Sequence, residues 1–235
     1  MANATARSSR CATSARSPMR AQKTGWTKEA GGMIDYGQEE MDYLSGKDPV
    51  MARLIAHYGH FERGVEETVF SSLVTHIVSQ MLSNKVGAVL NGRLHALVGV
   101  YTPENILSQP RGSIKGIGIS QRKADYIVNL AKGAAEGRYD FDALTGMTDA
   151  EVVAYLCKIQ GVGKWTAEMI AEFTLGRLDI FSYGDAALRG GMVKAHGFKT
   201  LSKLRFKRYR KKYAPYCSVA SLYYYAVNDD DDAWL

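Results

Sequence analysis

The sequence predicts an all-α fold, and three observations carry that expectation. Apolar residues recur at the i, i+3, i+4 spacing of amphipathic helices, helix-start signals stand directly before several of those runs, and no sustained two-residue alternation runs anywhere in the 235 residues. No internal repeat at solenoid periods is present either. With 46% hydrophobic residues, the chain is long enough for one sizeable core or for two closely packed small ones.

Taken in order, residues 1–30 read as a disordered tail. Arg7, Arg10, Arg16, Arg20 and Lys23 stand there among Ser and Ala, with no acidic residue between them. The stretch lacks the apolar segment of a secretory signal, and its composition resembles an organelle transit peptide; a plain disordered tail or an over-extended start has the same composition. The folded domain is expected over 31–228. Its first helical pattern holds Met51, Leu54, Ile55 and Tyr58, and the next holds Phe70, Leu73, Val74, Ile77, Val78 and Met81. Thr102-Pro103-Glu104 supplies an N-cap followed by proline at the first helical position. Ser120 caps a stretch carrying Ala124, Ile127, Val128 and Ala131, which Gly133 or Gly137 would end. Thr148-Asp149-Ala150-Glu151 is a capping box ahead of Val152, Val153, Leu156 and Ile159. The acidic run Asp229–Asp232 reads as the start of a frayed tail over 229–235.

The net charge of +6, with pI near 9.1, favours an anionic partner. Much of it runs from Arg189 to Lys212, including Lys203, Arg205, Lys207, Arg208, Arg210, Lys211 and Lys212, with no acidic residue between Ala186 and Asn228. Such a run is a solvated face or the footprint of a phosphate backbone. The three cysteines, Cys11, Cys157 and Cys217, are isolated, so neither a disulfide framework nor a CxxC metal site is readable, and a reducing compartment fits. No apolar run approaches the roughly 18 to 20 residues that cross a bilayer.

Between two helical patterns lies Ile159-Gln160-Gly161-Val162-Gly163-Lys164-Trp165-Thr166-Ala167. Two glycines around one apolar residue let the backbone turn tightly while Val162 plugs inward. Beyond Gly163 the free N–H groups of a new helix offer a phosphate site, with Lys164 adding charge. A plain turn between helices would use the same glycines.

The surrounding residues decide between them. The segment from Leu156 to Ile170 resembles the hairpin of 3-methyladenine DNA glycosylase II and its relatives in the helix-hairpin-helix superfamily. Three further segments resemble that family's motifs in the same order: Ile77-Val78-Ser79-Gln80-Met81-Leu82-Ser83 its I-x-x-Q-x-x-S helix, Gly118-Ile119-Ser120 with Lys123, Ala124 and Tyr126 its G-x-S-x-x-K-A-x-Y helix, and Asp179-Ile180-Phe181-Ser182-Tyr183-Gly184-Asp185 the segment that ends in its catalytic aspartate. The resemblance spans about residues 50 to 228. Cys217 stands where relatives often have arginine, Tyr183 where proline is common, and the β-rich N-terminal domain of the longest members has no room here.

The resemblance implies two closely packed helical subdomains and a monomer that acts on damaged bases in double-stranded DNA. Asp185 would be the catalytic carboxylate, and it also reads as a helix N-cap before Ala186-Ala187-Leu188. Asp179 would be a cap or hydrogen-bonding partner. Trp165 and Tyr225 would wall the pocket for a flipped base; Tyr225 is chosen from Tyr223-Tyr224-Tyr225 because helical neighbours point about 100° apart. Gln80, Met81, Leu82 and Ser83 would meet DNA around the extruded base, with Met81 as the apolar wedge and Leu82 its competitor. Gly161, Val162, Gly163, Lys164 and Thr166 would hold the phosphate backbone. Backbone carbonyls near Cys157, Ile159 and Val162 would bind a structural Na+ or K+, with no other cofactor required.

Bifunctional relatives carry a Schiff-base lysine where this chain has Trp165, so a monofunctional hydrolase is expected. Two cysteines in the folded region leave no four-cysteine iron-sulfur cluster. The substrate class would be alkylated purines, which are cationic and attracted to aromatic walls. A glycosylase for mismatched or deaminated bases and a non-catalytic DNA-binding module are the competing readings; Asp185 favours an enzyme, since a binding module gains nothing from a carboxylate beside phosphates. The expected location is the cytoplasm or nucleoid, or the nucleus, with residues 1–25 as a candidate organelle-targeting segment.

Overall fold

The computed structural model describes residues 34–61 and 68–230, which form twelve α-helices and, among the described residues, no strand. The tail expected over residues 1–30 lies outside the described residues, as do 231–235. The first helices are α1 (Gln38–Lys47), α2 (Pro49–Tyr58), α3 (Val69–Ser79), α4 (Asn84–Val98), α5 (Pro103–Leu107) and α6 (Ser113–Gly116). They are followed by α7 (Gln121–Ala135), α8 (Asp149–Leu156), α9 (Lys164–Met169), α10 (Ala186–His196), α11 (Lys203–Tyr213) and α12 (Cys217–Asp229).

Short polar side chains start these helices by accepting backbone N–H groups that have no intrahelical partner. Thr102, Ser120 and Thr148 cap α5, α7 and α8, with Glu151 closing the capping box. Asp48, Thr68, Ser83, Asp185 and Ser202 do the same for α2, α3, α4, α10 and α11. One expected boundary falls at the second of its two candidate glycines, and one expected helix ends early. α7 runs through Gly133, where the Tyr139 ring occupies the space a side chain would need, and Gly137 at φ 70° follows its end. α3 stops at Ser79, so Met81, which continued the apolar spacing, lies outside the helix.

The apolar faces form two cores. One gathers α3 to α9 around Leu73, Ile77, Leu94, Ile127, Leu130, Leu156 and Ile170. The other joins the N-terminal helices α1 and α2 to the C-terminal α10, α11 and α12 around Leu44, Met51, Leu54, Met192, Tyr213, Tyr223 and Tyr224. Each fully buried aliphatic side chain contributes about 1.5–3 kcal/mol. α10 and α12 cross so closely that a Cβ on Gly191 would stand 1.8 Å from the Tyr224 carbonyl. The cores meet where the chain passes between them, and there Ile180 belongs to the first and Phe181 to the second. Ser218 of α12 clips that segment in place, accepting the Ile180 N–H at 2.9 Å and donating to the Arg177 carbonyl at 2.6 Å.

Two residues of the acidic run expected to start a tail are held by the second core. Asp229 ends α12, and Asp230 accepts the Tyr58 hydroxyl at 2.8 Å and, through its carbonyl, the Lys194 ammonium. Among the described residues no helix is long and apolar enough to cross a membrane.

Candidate active site and DNA interface

The hairpin follows from its glycines. Gly161 adopts φ 90°, a conformation L side chains rarely take, and a Cβ there would fall 2.3 Å from the Tyr126 ring. Val162 turns inward, Gly163 caps α9, and the helix continues into a π turn over Ile170–Thr174. Lys164 is exposed and pairs with Glu168 one turn on, at 3.5 Å. Glu168 also accepts the Ser182 hydroxyl at 2.5 Å, which ties the hairpin helix to the segment leading to Asp185.

Asp185 is the meeting point. One carboxylate oxygen accepts the Leu188 N–H at 2.8 Å, capping α10, and the other accepts the indole N–H of Trp165 at 2.8 Å. The residue is 7% exposed, whereas Trp165 is 38% exposed and meets His76 edge-on at 6.1 Å. The carboxylate is thus oriented by two donors in a largely water-excluded position, where an electrostatic interaction is stronger than in bulk water. Arg189, one turn along α10, donates to the Asp185 backbone carbonyl at 3.3 Å and stacks on Tyr183 at 5.3 Å. That Trp165 donates to the carboxylate was not readable: the residues are 20 apart, and the sequence suggested only a ring wall.

Gln80, Met81, Leu82 and Ser83 form the turn between α3 and α4. The Gln80 amide donates to the Gly161 carbonyl at 2.8 Å, so the turn and the hairpin stand side by side. Met81 is fully exposed and sits at φ 58°, whereas Leu82 is 38% exposed and Ser83 caps α4. Gln80, Met81, Ser120, Lys123, Tyr126 and Gly161 line an open groove of about 620 Å³.

Several expected roles need correcting. The Thr166 side chain is 3% exposed and Val162 6%, so only their backbone groups are available to a phosphate. In the basic run, Arg210 forms a double hydrogen bond with Asp179 at 2.8 Å, and Lys212 pairs with the buried Asp48 at 2.9 Å. These two hold the second core together. Lys207, Arg208 and Lys211 remain on the exposed side of α11. Cys217 lies buried against the Arg210 guanidinium at 3.2 Å, and burial raises its thiol pKa. Tyr223 and Tyr224 are wholly buried; Tyr225 is half-buried and packs near Phe173 at 5.9 Å.

The carbonyl set near Cys157, Ile159 and Val162 fits a hard cation by its chemistry. The Ile159 carbonyl accepts only the Val162 N–H, at 3.0 Å, while those of Cys157 and Val162 accept no hydrogen bond among the described residues. No cluster of three or more His, Cys, Asp or Glu suited to a metal occurs among the described residues.

A helical protein of two cores, with a glycine hairpin beside a capped aspartate, defines the helix-hairpin-helix class. No family model matches the chain. It is 33% identical to the solved DNA-3-methyladenine glycosidase of Bacillus halodurans, with a TM-score of 0.72 over 83% of this chain and 91% of that one. It is also 27% identical over 183 residues to DNA-3-methyladenine glycosylase 1 of Schizosaccharomyces pombe, covering 75% of this chain and 79% of the relative. The solved structure of an S. pombe 3-methyladenine DNA glycosylase in complex with abasic DNA shares the fold, at 24% identity and a TM-score of 0.72 over 80% of this chain and 95% of that one. The chain belongs to the DNA-3-methyladenine glycosylase family.

Proposed function

We propose that this protein is a monofunctional DNA glycosylase that hydrolyses the N-glycosidic bond of flipped-out alkylated purines of the 3-methyladenine type, in base excision repair. The observation that carries the reading is the Asp185 carboxylate, fixed by Trp165 and Leu188 beside the hairpin. Breaking the bond leaves oxocarbenium-like positive charge on the sugar. A preoriented carboxylate stabilises that charge without reorganising and can direct the attacking water. The water oxygen becomes bonded to the sugar carbon, its proton is released, and the base departs with the bonding electrons. A cationic alkylated purine leaves as a neutral base, which makes it the easier leaving group.

Extrusion of the base would leave a gap for Met81 to fill, and the aromatic faces of Trp165 and Tyr225 would receive the base by stacking and cation–π attraction. The backbone amides after Gly163 would hold a phosphate without reading sequence. The carbonyls of Cys157, Ile159 and Val162 would bind Na+ or K+, adding positive charge there. The protein acts wherever its DNA lies, in the nucleoid or nucleus, with residues 1–25 as a candidate organelle signal. The test is to incubate purified protein with alkylated genomic DNA and identify released bases by mass spectrometry. Release of 3-methyladenine or 7-methylguanine is expected; release of undamaged mismatched pyrimidines alone would overturn the substrate class.

A further inference from the structure

We infer that Lys123 is a positioning residue for base extrusion: its ammonium, donating to the carbonyls of Val78 and Gln80, holds the turn that carries Met81 outward. The last carbonyls of a helix lack intrahelical donors and sit at the negative end of its dipole. At the end of α3 that need is met from another helix, with Lys123 Nζ of α7 2.8 Å from the Val78 carbonyl and 2.6 Å from that of Gln80. Burial draws its pKa below the ordinary lysine value, as expected of an ammonium taken from water into a carbonyl cradle.

What this cradle holds is a strained turn. Met81 is the only non-glycine residue with positive φ among the described residues, a conformation that crowds its Cβ against the following carbonyl oxygen. Strained backbone persists only where its surroundings over-determine it, and Met81, fully exposed, brings no packing of its own. The constraint therefore comes from the flanking backbone. Lys123 grips the Val78 and Gln80 carbonyls on the approach to the turn's apex, Gln80 binds the Gly161 carbonyl at 2.8 Å, and the Tyr126 ring of α7 lies against Gly161. One helix thus fixes the exposed methionine and the DNA-facing hairpin relative to each other.

The inference rests on the reading of Met81 as the wedge, and the experiment separates the two. Single-turnover release of 7-methylguanine is measured from a paired duplex and from one in which the lesion faces an abasic position, where extrusion costs less. Lys123→Met is expected to slow release from the paired duplex by on the order of tenfold to hundredfold. Its loss on the abasic-facing duplex should be under about threefold. Met81→Ala should show the same split, the double variant should fall no further than Met81→Ala, and Lys123→Arg should restore most of the rate. Should Lys123→Met fail to fold, as judged by circular dichroism, Lys123→Gln carries the same test. Equal losses on both duplexes, or a normal paired-duplex rate alongside an impaired Met81→Ala, would overturn the role of Lys123. A normal paired-duplex rate for Met81→Ala would remove the wedge reading, and this inference with it.

Discussion

The indole N–H of Trp165 donates to the carboxylate of Asp185 at 2.8 Å, so a residue in the first turn of the hairpin helix orients the aspartate. On the proposed reading the ring would both wall the site and fix the group that acts in it. Trp165→Phe keeps most of the ring and removes the donor. A hydrogen bond to a charged group contributes about 1.5–3 kcal/mol, so the single-turnover rate is expected to fall by on the order of tenfold. An unchanged rate would show that the Leu188 N–H alone suffices to hold the carboxylate.

A second expectation concerns the covalent route. With tryptophan at position 165 no amine reaches the sugar from there, and Lys164 is exposed and turned toward Glu168. Borohydride should trap no complex with substrate DNA, and the product strand should break only after alkali or heat. A trapped adduct that disappears in Lys164→Ala would mean that lysine performs the chemistry instead.

The basic run divides into two classes that a salt titration separates. Neutralising Lys207, Arg208 and Lys211 should flatten the salt dependence of DNA binding by about 0.9 log units per log salt for each phosphate left without its cationic side chain, with little change in stability. Lys212→Met should do the reverse. It strips one of three donors from Asp48, 2% exposed, which keeps the Tyr213 hydroxyl and the Val50 N–H, and a hydrogen bond to a charged group contributes about 1.5–3 kcal/mol. An unaltered salt slope in the triple variant would make that face merely solvated.

The second core also predicts a pH dependence. His196 lies between the hydroxyls of Tyr224 and Tyr209, and burial lowers its pKa from 6.5 to about 4. The unfolded chain therefore binds the proton more readily than the folded one. The stability associated with neutral His196 is complete above pH 6.5 and is lost as pH falls toward about 4. Burial would raise the Asp48 carboxyl, but hydrogen bonds from Lys212, Tyr213 and the Val50 N–H outweigh it and hold its pKa low, adding acid sensitivity below its usual range. Melting temperature should fall between pH 6.5 and 4, and His196→Gln should flatten that slope. Identical slopes in both proteins would assign the acid sensitivity elsewhere.

What was legible in the sequence was local. Caps at Thr102, Ser120, Thr148 and Asp185 announce themselves within three residues, and the Gly161–Gly163 turn is a backbone requirement that sequence states directly. α4 went unread because Gly87, Asn91 and Gly92 dilute its apolar positions Leu90, Leu94 and Val98. Thr166 was expected at the phosphate backbone with the rest of the hairpin, but it lies one position past Trp165, and that step of about 100° turns its side chain inward. Lys212 looked free because its partner, Asp48, is 164 residues away. The carboxylate itself was readable from its motif, whereas its indole donor and the Lys123 cradle arise only from folding.

The most direct test of the central claim is the single-turnover rate of Asp185→Asn, measured beside its DNA affinity. Asparagine keeps an oxygen able to accept the Leu188 N–H, so α10 stays capped, while the negative charge is lost. Affinity within a fewfold of wild type, with base release slowed by on the order of 10² to 10³, is the expected result for removal of one electrostatic stabiliser. Equal rates for the two proteins would contradict the assignment of catalysis to this carboxylate.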